Sequence, residues 1–312
     1  MKALRYLRRR FPSLFEFVMI FFRQGFRGYF DYFRNSRLGW SSNSLFQNYS
    51  EPNASSISDG TSYVQLCKLA VQDDSVFAKF KSSFEYRGIL EHCDYSQGRD
   101  YLKMIEKNSE IMSNLKQITK VDNGQPFTFF YRGLGKVSPT QIRYAKVTQD
   151  LESLFGSLDN LDVAEIGVGY GGQAIHLLNR WSASNYFVYD LEWPSKLMIK
   201  NVKQSSINLS IQPEIKSWEE WAEVDLVISN YAFSELFRDV QETYFKNVIS
   251  SSKAGYVIYN HIHEHDNVSM SAQEFASRIP GAVILKEKPL SFPGNVLVVW
   301  GYNPKADLKH FS

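Results

Sequence analysis

The sequence predicts an α/β fold, a mostly parallel doubly wound sheet preceded by a helical N-terminal extension. Three observations carry this. A short apolar strand at residues 163–166 runs into a glycine cluster and then into the amphipathic stretch Gln173–Leu178. Strand and helix patterns alternate from there to about residue 260, as a parallel sheet requires. Near the C-terminus, Ala282–Lys286 and Val296–Tyr302 are joined across Pro289 and Pro293-Gly294, which is the pattern of an antiparallel hairpin.

Taken in order, the chain opens on a basic, aromatic segment. Residues 1–37 hold nine lysines and arginines against Glu16 and Asp31, although the whole chain carries a net charge of only +2. The remainder is mildly acidic, which argues against nucleic acid as a partner and for a local basic feature. The apolar run at residues 11–22 is too short to span a bilayer, and no small-residue cleavage site follows it. A basic, Phe-rich amphipathic helix suits an anionic membrane surface. Packing on a sister subunit, in a homo-oligomer, or on its own domain is the alternative. Cys67 and Cys93 are too few for a disulfide framework and fit a reducing compartment. The expected location is cytoplasmic, with residues 1–37 as the element that would reach the inner membrane.

Residues 38–60 are rich in Ser and Asn and read as a linker. Residues 61–136 form a mainly helical substrate or lid region, in which Tyr101, Ile105, Ile111, Met112, Leu115 and Ile118 recur near a 3.6-residue period. Phe127–Tyr131 reads as extended, with Gly133 and Gly135 marking a turn. Ser138-Pro-Thr-Gln141 predicts a capping box with proline at the first helical position, and Gly156 ends that helix. Arg132 and Arg143 flank this junction. They are candidates for a substrate phosphate or a cofactor carboxylate, or else surface arginines on a connector. Residues 137–305 form the catalytic domain and 306–312 a tail.

The sheet domain starts on Val163-Ala-Glu-Ile-Gly-Val-Gly-Tyr-Gly-Gly172. Gly167, Gly169 and Gly172 satisfy G-x-G-x-x-G, the spacing that seats a dinucleotide pyrophosphate on a helix N-terminus. Glu165 argues the other way. A fixed negative charge two residues before the first glycine repels a pyrophosphate and suits a cationic ligand. Asp190, at the end of the next strand, is placed to take two ribose hydroxyls, which either cofactor would offer.

Glu165, Gly167, Gly169 and Gly171 resemble the E/D-x-G-x-G-x-G motif of class I S-adenosylmethionine methyltransferases. A second match, Asp225-Leu-Val-Ile-Ser-Asn230, resembles their fourth-strand segment, with Asn230 facing the cofactor. The resemblance implies a Rossmann-like seven-stranded sheet closed by the C-terminal hairpin, with S-adenosylmethionine as cofactor. Gly172 completes the cradle, and Trp218 stands where such enzymes hold adenine. The Arg-Gly-x-Gly-x-x-Ser-Pro-Thr connector (from Arg132), the glycine motif and Ser229-Asn-Tyr-Ala-Phe-Ser-Glu-Leu236 are together similar to sugar O-methyltransferases of bacterial surface-polysaccharide clusters, over roughly residues 85–305. That implies methylation of a sugar hydroxyl on a nucleotide sugar or glycan, with Tyr231, Arg132 and Arg143 on the substrate side.

An alcohol needs its proton removed as the new bond forms. Glu235, just beyond the fourth strand, is one candidate base; His261 and His263, just beyond the fifth, are the others. If extended, His261, His263 and His265 share one side and could hold a divalent metal, but a hard cation prefers oxygen and only Glu264 and Asp266 supply it. The reading is therefore metal-free, with the metal as the minor variant. Two other classes stay open: an NAD-dependent sugar dehydrogenase or epimerase, and a non-catalytic methyltransferase-like scaffold recruited to the membrane.

Overall fold

The computed structural model describes residues 61–260 and 269–306, together with Leu308 and Phe311. The segment 1–37, the linker 38–60 and His261, His263 and His265 lie outside the described residues, and with them the membrane contact and the histidine base.

The described chain begins with helices α1 (Ser62–Gln72), α2 (Asp74–Phe77), α3 (Phe84–Ile89), α4 (Tyr95–Ile105) and α5 (Ser109–Ile118). A capping box holds the start of α4, because Asp94 accepts from Gln97 N while the Gln97 side chain accepts from Asp94 N. Strands β1 (Phe129–Tyr131) and β2 (Gly135–Val137) then form a small antiparallel hairpin, so the expected strand is shorter and has a partner.

Helix α6 (Pro139–Phe155) starts at proline and ends at Gly156, whose φ of 82° no β-carbon residue adopts cheaply. The expected capping box does not close. Ser138 Oγ accepts from Thr140 N at 3.2 Å, but Gln141 turns away from the cap. Its Nε2 donates to Asp122 at 2.8 Å, and its Oε1 meets His176 Nε2 at 2.9 Å. A buried glutamine takes the partners that satisfy both ends of its amide, and here they come from other elements. Burial holds His176 neutral at a pKa of about 3, so its Nε2–H is the donor in that pair.

The sheet domain continues as β3 (Asp162–Ile166), α7 (Gly172–Leu178), β4 (Asn185–Tyr189), α8 (Glu192–Gln204), β5 (Glu214–Ile215) and β6 (Leu226–Asn230). After it come α9 (Arg238–Tyr244), β7 (Ala254–Tyr259), α10 (Ala272–Ser277), β8 (Val283–Lys286) and β9 (Val296–Trp300). The seven strands lie in the order β5-β4-β3-β6-β7-β9-β8. All neighbours are parallel except β9, which runs antiparallel to both β7 and β8. The predicted fold class, parallel sheet and closing hairpin alike, is the one observed. Helix α9 ends at Tyr244, and a π-helical turn, Phe245–Ile249, follows it.

One face of the sheet buries Val163, Tyr186, Val188, Leu226, Ile228 and Tyr256 against α6, α7 and α8. The opposite face buries Ala164, Ile166, Val227, Val257 and Val298 with Phe233, Tyr244 and Phe275. Burial on both faces is why these strands read as continuous apolar runs. The helical extension is joined to the sheet domain through Tyr170 of the glycine turn, which is 1 % exposed and packs against Phe80, Tyr86 and Tyr144. Lys81 Nζ lies 3.7 Å from the centre of that ring. Among the described residues, no helix is long and apolar enough to cross a membrane.

Candidate functional site

The glycine turn sits at the C-terminal edge of β3, between β4 and β6. Gly167, Gly169 and Gly171 all take positive φ, at 81°, 56° and 83°. That conformation is open to glycine, and it lets the turn satisfy its own N–H groups: Gly167 N donates to Tyr189 O at 2.7 Å and Gly171 N to Val168 O at 2.9 Å. Gly169 N donates to Asp190 Oδ2 at 2.8 Å, and Leu191 N donates to the other oxygen at 2.7 Å. Asp190 is therefore oriented by backbone, with the remaining lone pairs of both oxygens free for a diol. Burial pushes its pKa up to about 6, against the pull of those two N–H groups.

Glu165 differs from the fixed charge expected of it. Its side chain is 3 % exposed and accepts a hydrogen bond from Tyr186 Oη at 2.7 Å. Burial drives its pKa up to about 8, with the Asp190 charge adding to the rise. At neutral pH the carboxyl is mostly protonated until a cation comes near. Gly172 lies against Tyr144, so its missing β-carbon makes room for α6 and not for a ligand.

On the other side of the turn, Asn230 ends β6 with its Oδ1 buried and without a hydrogen-bond partner among the described residues. An orphaned acceptor at that edge suits a ligand amine or hydroxyl. Tyr231 follows at φ 73°, an unusual conformation for an aromatic residue and one that clusters at functional sites. Its Oη is hydrogen-bonded to Glu287 and lies 3.1 Å from Ser291 Oγ. Glu235 is half-buried in the next turn, where Asn260 Nδ2 donates to its Oε1 at 2.6 Å. Burial raises its pKa and the Asn260 bond partly offsets that.

The two arginines part company. Arg132 is exposed on the β1–β2 turn, whereas Arg143 is 4 % exposed on α6, with its guanidinium 5.6 Å from the Tyr231 ring centre. Trp218 is half-buried against the apolar cluster that holds Tyr189, Ala222 and Val224, and its carbonyl accepts from Asn247 Nδ2 at 3.5 Å. Among the described residues, no group of three metal-ligating side chains comes together.

Sequence reasoning missed His92, Glu287 and Ser291. His92 Nδ1 lies 3.0 Å from Ile89 O and its Nε2 lies 3.5 Å from Arg143 Nη1. Desolvation of the ring, with the Arg143 charge beside it, lowers the imidazole pKa to about 4, although the residue as a whole is exposed. None of the three belongs to a local motif, and only packing brings them to Arg143 and Tyr231. Leu90, two residues before His92, covers the glycine turn, since a β-carbon at Gly169 would stand 2.8 Å from Leu90 Cδ1.

No protein-family model matches the sequence, and no curated protein does. Solved structures with a similar chain path include an S-adenosylmethionine-dependent methyltransferase from Aquifex aeolicus, at 14 % identity and a TM-score of 0.37, covering 50 % of this chain and 87 % of that one. An O-methyltransferase family protein from Burkholderia thailandensis gives 14 % identity and a TM-score of 0.37, over 51 % and 59 % of the two chains. An rRNA methylase from Streptococcus thermophilus gives 11 % and 0.36, over 49 % and 93 %. At such values the functional reading rests on this chain's own side chains.

Proposed function

We propose that this chain is an S-adenosylmethionine-dependent O-methyltransferase acting on a sugar hydroxyl. The observation that carries the reading is one constellation. Glu165, the positive-φ glycine turn, Asp190 held by Gly169 N and the orphaned Asn230 Oδ1 all meet at the C-terminal edge of three adjacent parallel strands. Open α/β sheets bind their ligands at such an edge. The residues fit the cofactor: Asp190 would hold the ribose, Glu165 would face the methionine ammonium, and Asn230 would take a polar group at the same edge. When bound, the cofactor supplies an electrophilic methyl on a sulfonium.

The chain's part is to place an acceptor hydroxyl in line with that methyl, exclude water and take the hydroxyl proton. Glu235, with its raised pKa and its Asn260 anchor, is a suitable proton acceptor, and His261 or His263 is the alternative. The sugar subclass rests on the connector and strand motifs; Arg143 and Tyr231 would line the acceptor side with Arg132 as a peripheral contact, and Trp218 would lie beside the adenine. Calorimetric titration with S-adenosylhomocysteine, with NAD as the control, tests the reading. Micromolar binding of the former alone supports it. Binding of NAD alone would replace it with a dehydrogenase.

A further inference from the structure

Resting on the transferase reading above, we propose that the acceptor bears a carboxylate or phosphate that is seated against Arg143, beside His92, at the C-terminal edge of the sheet. Arg143 is 4 % exposed, and among the described residues no carboxylate lies within ion-pair distance of it. Two other buried cations of the chain are treated differently. Lys81 is paired with Asp122, and Lys146 with Asp150. Burying a guanidinium without a counter-charge is strongly unfavourable, so a lone one marks a place where a ligand brings the charge.

Among the described residues, the side chains that contact Arg143 carry no negative charge. His92 presents the lone pair of Nε2 to Nη1, because its Nδ1–H is donated to Ile89 O. The rings of Tyr144 and Tyr231 lie 5.3 and 5.6 Å away, and the Cys93 thiol and Tyr101 hydroxyl are close enough to feel the charge. Glu287, beyond Tyr231, is already bonded to Tyr231 Oη, Ser291 N and Ser291 Oγ. Among the described residues, then, nothing pairs with the charge of Arg143, and its planar fork matches a carboxylate or a phosphate.

Sheet order assigns this anion to the acceptor and not to the cofactor. Asp190 lies on the β4 side of the glycine turn, whereas Tyr231 lies one residue past Asn230 and bonds to Glu287, which follows β8 at the far side of the sheet. Gln97 Nε2 donates to Ser291 O at 3.1 Å, so α4 closes that side from above. An acid group bound at Arg143 would hold one end of a sugar while a hydroxyl elsewhere on the ring faces the methyl donor.

Titration of the full chain, saturated with S-adenosylhomocysteine, with D-glucuronate, glucose 1-phosphate and glucose tests this. One of the anions is expected to bind at least about tenfold more tightly than glucose, and which one does so separates carboxylate from phosphate. Arg143→Met should abolish that preference and leave S-adenosylhomocysteine affinity within about twofold. Should Arg143→Met fail to fold, Arg143→Lys keeps the charge without the fork and is expected to weaken the anion by roughly threefold or more. Equal binding of all three sugars by the wild type, or of none, overturns the proposal. So does an Arg143→Met protein that keeps the anion preference but loses S-adenosylhomocysteine, which would assign the arginine to the cofactor carboxylate. Absence of S-adenosylhomocysteine binding by the wild type is a different failure: it removes the transferase reading, and this proposal with it.

Discussion

Tyr186 Oη donates a hydrogen bond to Glu165 Oε2 across 2.7 Å, between two neighbouring parallel strands and out of reach of water. Burial pushes the Glu165 pKa up to about 8, far above its ordinary 4.5. The folded state therefore holds this proton more tightly than the unfolded chain. The resulting stability is full below pH 4.5 and is lost as pH rises through 8. Glu165→Gln cannot ionise and still accepts from Tyr186. Its stability relative to the wild type should rise between about pH 5 and about pH 9 by on the order of a few kcal/mol. Urea melts at the two pH values check this, and a constant difference would mean that Glu165 is ionised throughout. Because a cation draws the proton off, binding of S-adenosylhomocysteine near neutral pH should also release a fraction of a proton, which titration in two buffers of different ionisation enthalpy would detect.

Asp190 is held by Gly169 N and Leu191 N, so its carboxylate is set before any ligand arrives. Asp190→Asn keeps an oxygen for one of those donors but loses the charge and one acceptor. S-adenosylhomocysteine affinity should fall about 10- to 100-fold with little change in melting temperature. Unchanged affinity would remove Asp190 from the site.

The glycines differ in what surrounds them. A β-carbon at Gly167 would stand 2.0 Å from Ala232 Cβ, which has no freedom to move, at a φ of 81°. At Gly171 the nearest atom is Met198 Cγ at 2.7 Å, on a flexible side chain. Gly167→Ala is expected to destabilise by about 3 kcal/mol or more and Gly171→Ala by about 1–2 kcal/mol. Chemical denaturation of the pair decides it; equal losses would show that the cost is set by backbone strain, since the two φ values are 81° and 83°, and not by packing.

Glu235 is the candidate base whose surroundings the structure describes. Glu235→Gln keeps the contact with Asn260 and should lower kcat about 100-fold or more, with S-adenosylhomocysteine binding intact. Burial raises the pKa of this carboxyl, so the acidic limb of the wild-type pH–rate profile belongs to it and should vanish in the variant. An unchanged limb in Glu235→Gln, with loss of activity in His261→Ala or His263→Ala, moves the role to a histidine.

Much of the fold was legible because it is written in local patterns. The β3–turn–α7 unit, Asp190 one residue past β4, Asn230 at the end of β6 and the proline start of α6 all follow from residues within a few positions of one another. Their backbone requirements are satisfied locally, and their side-chain periodicity reports which faces are buried. Where Gln141 was read as a capping residue, the local signal lost to a buried amide that found Asp122 and His176.

By itself, then, the sequence determined the fold class, the order of the elements and the place of the glycine turn, since these depend on periodicity and on the few residues that tolerate positive φ. Only the tertiary structure decided the ionisation of Glu165, the neutrality of His92 and the isolation of Arg143 from any described carboxylate. Those properties depend on desolvation and on charges from elements far apart in the chain. The dielectric surroundings of a side chain are set by what packs against it, and no spacing of neighbours along the sequence encodes that.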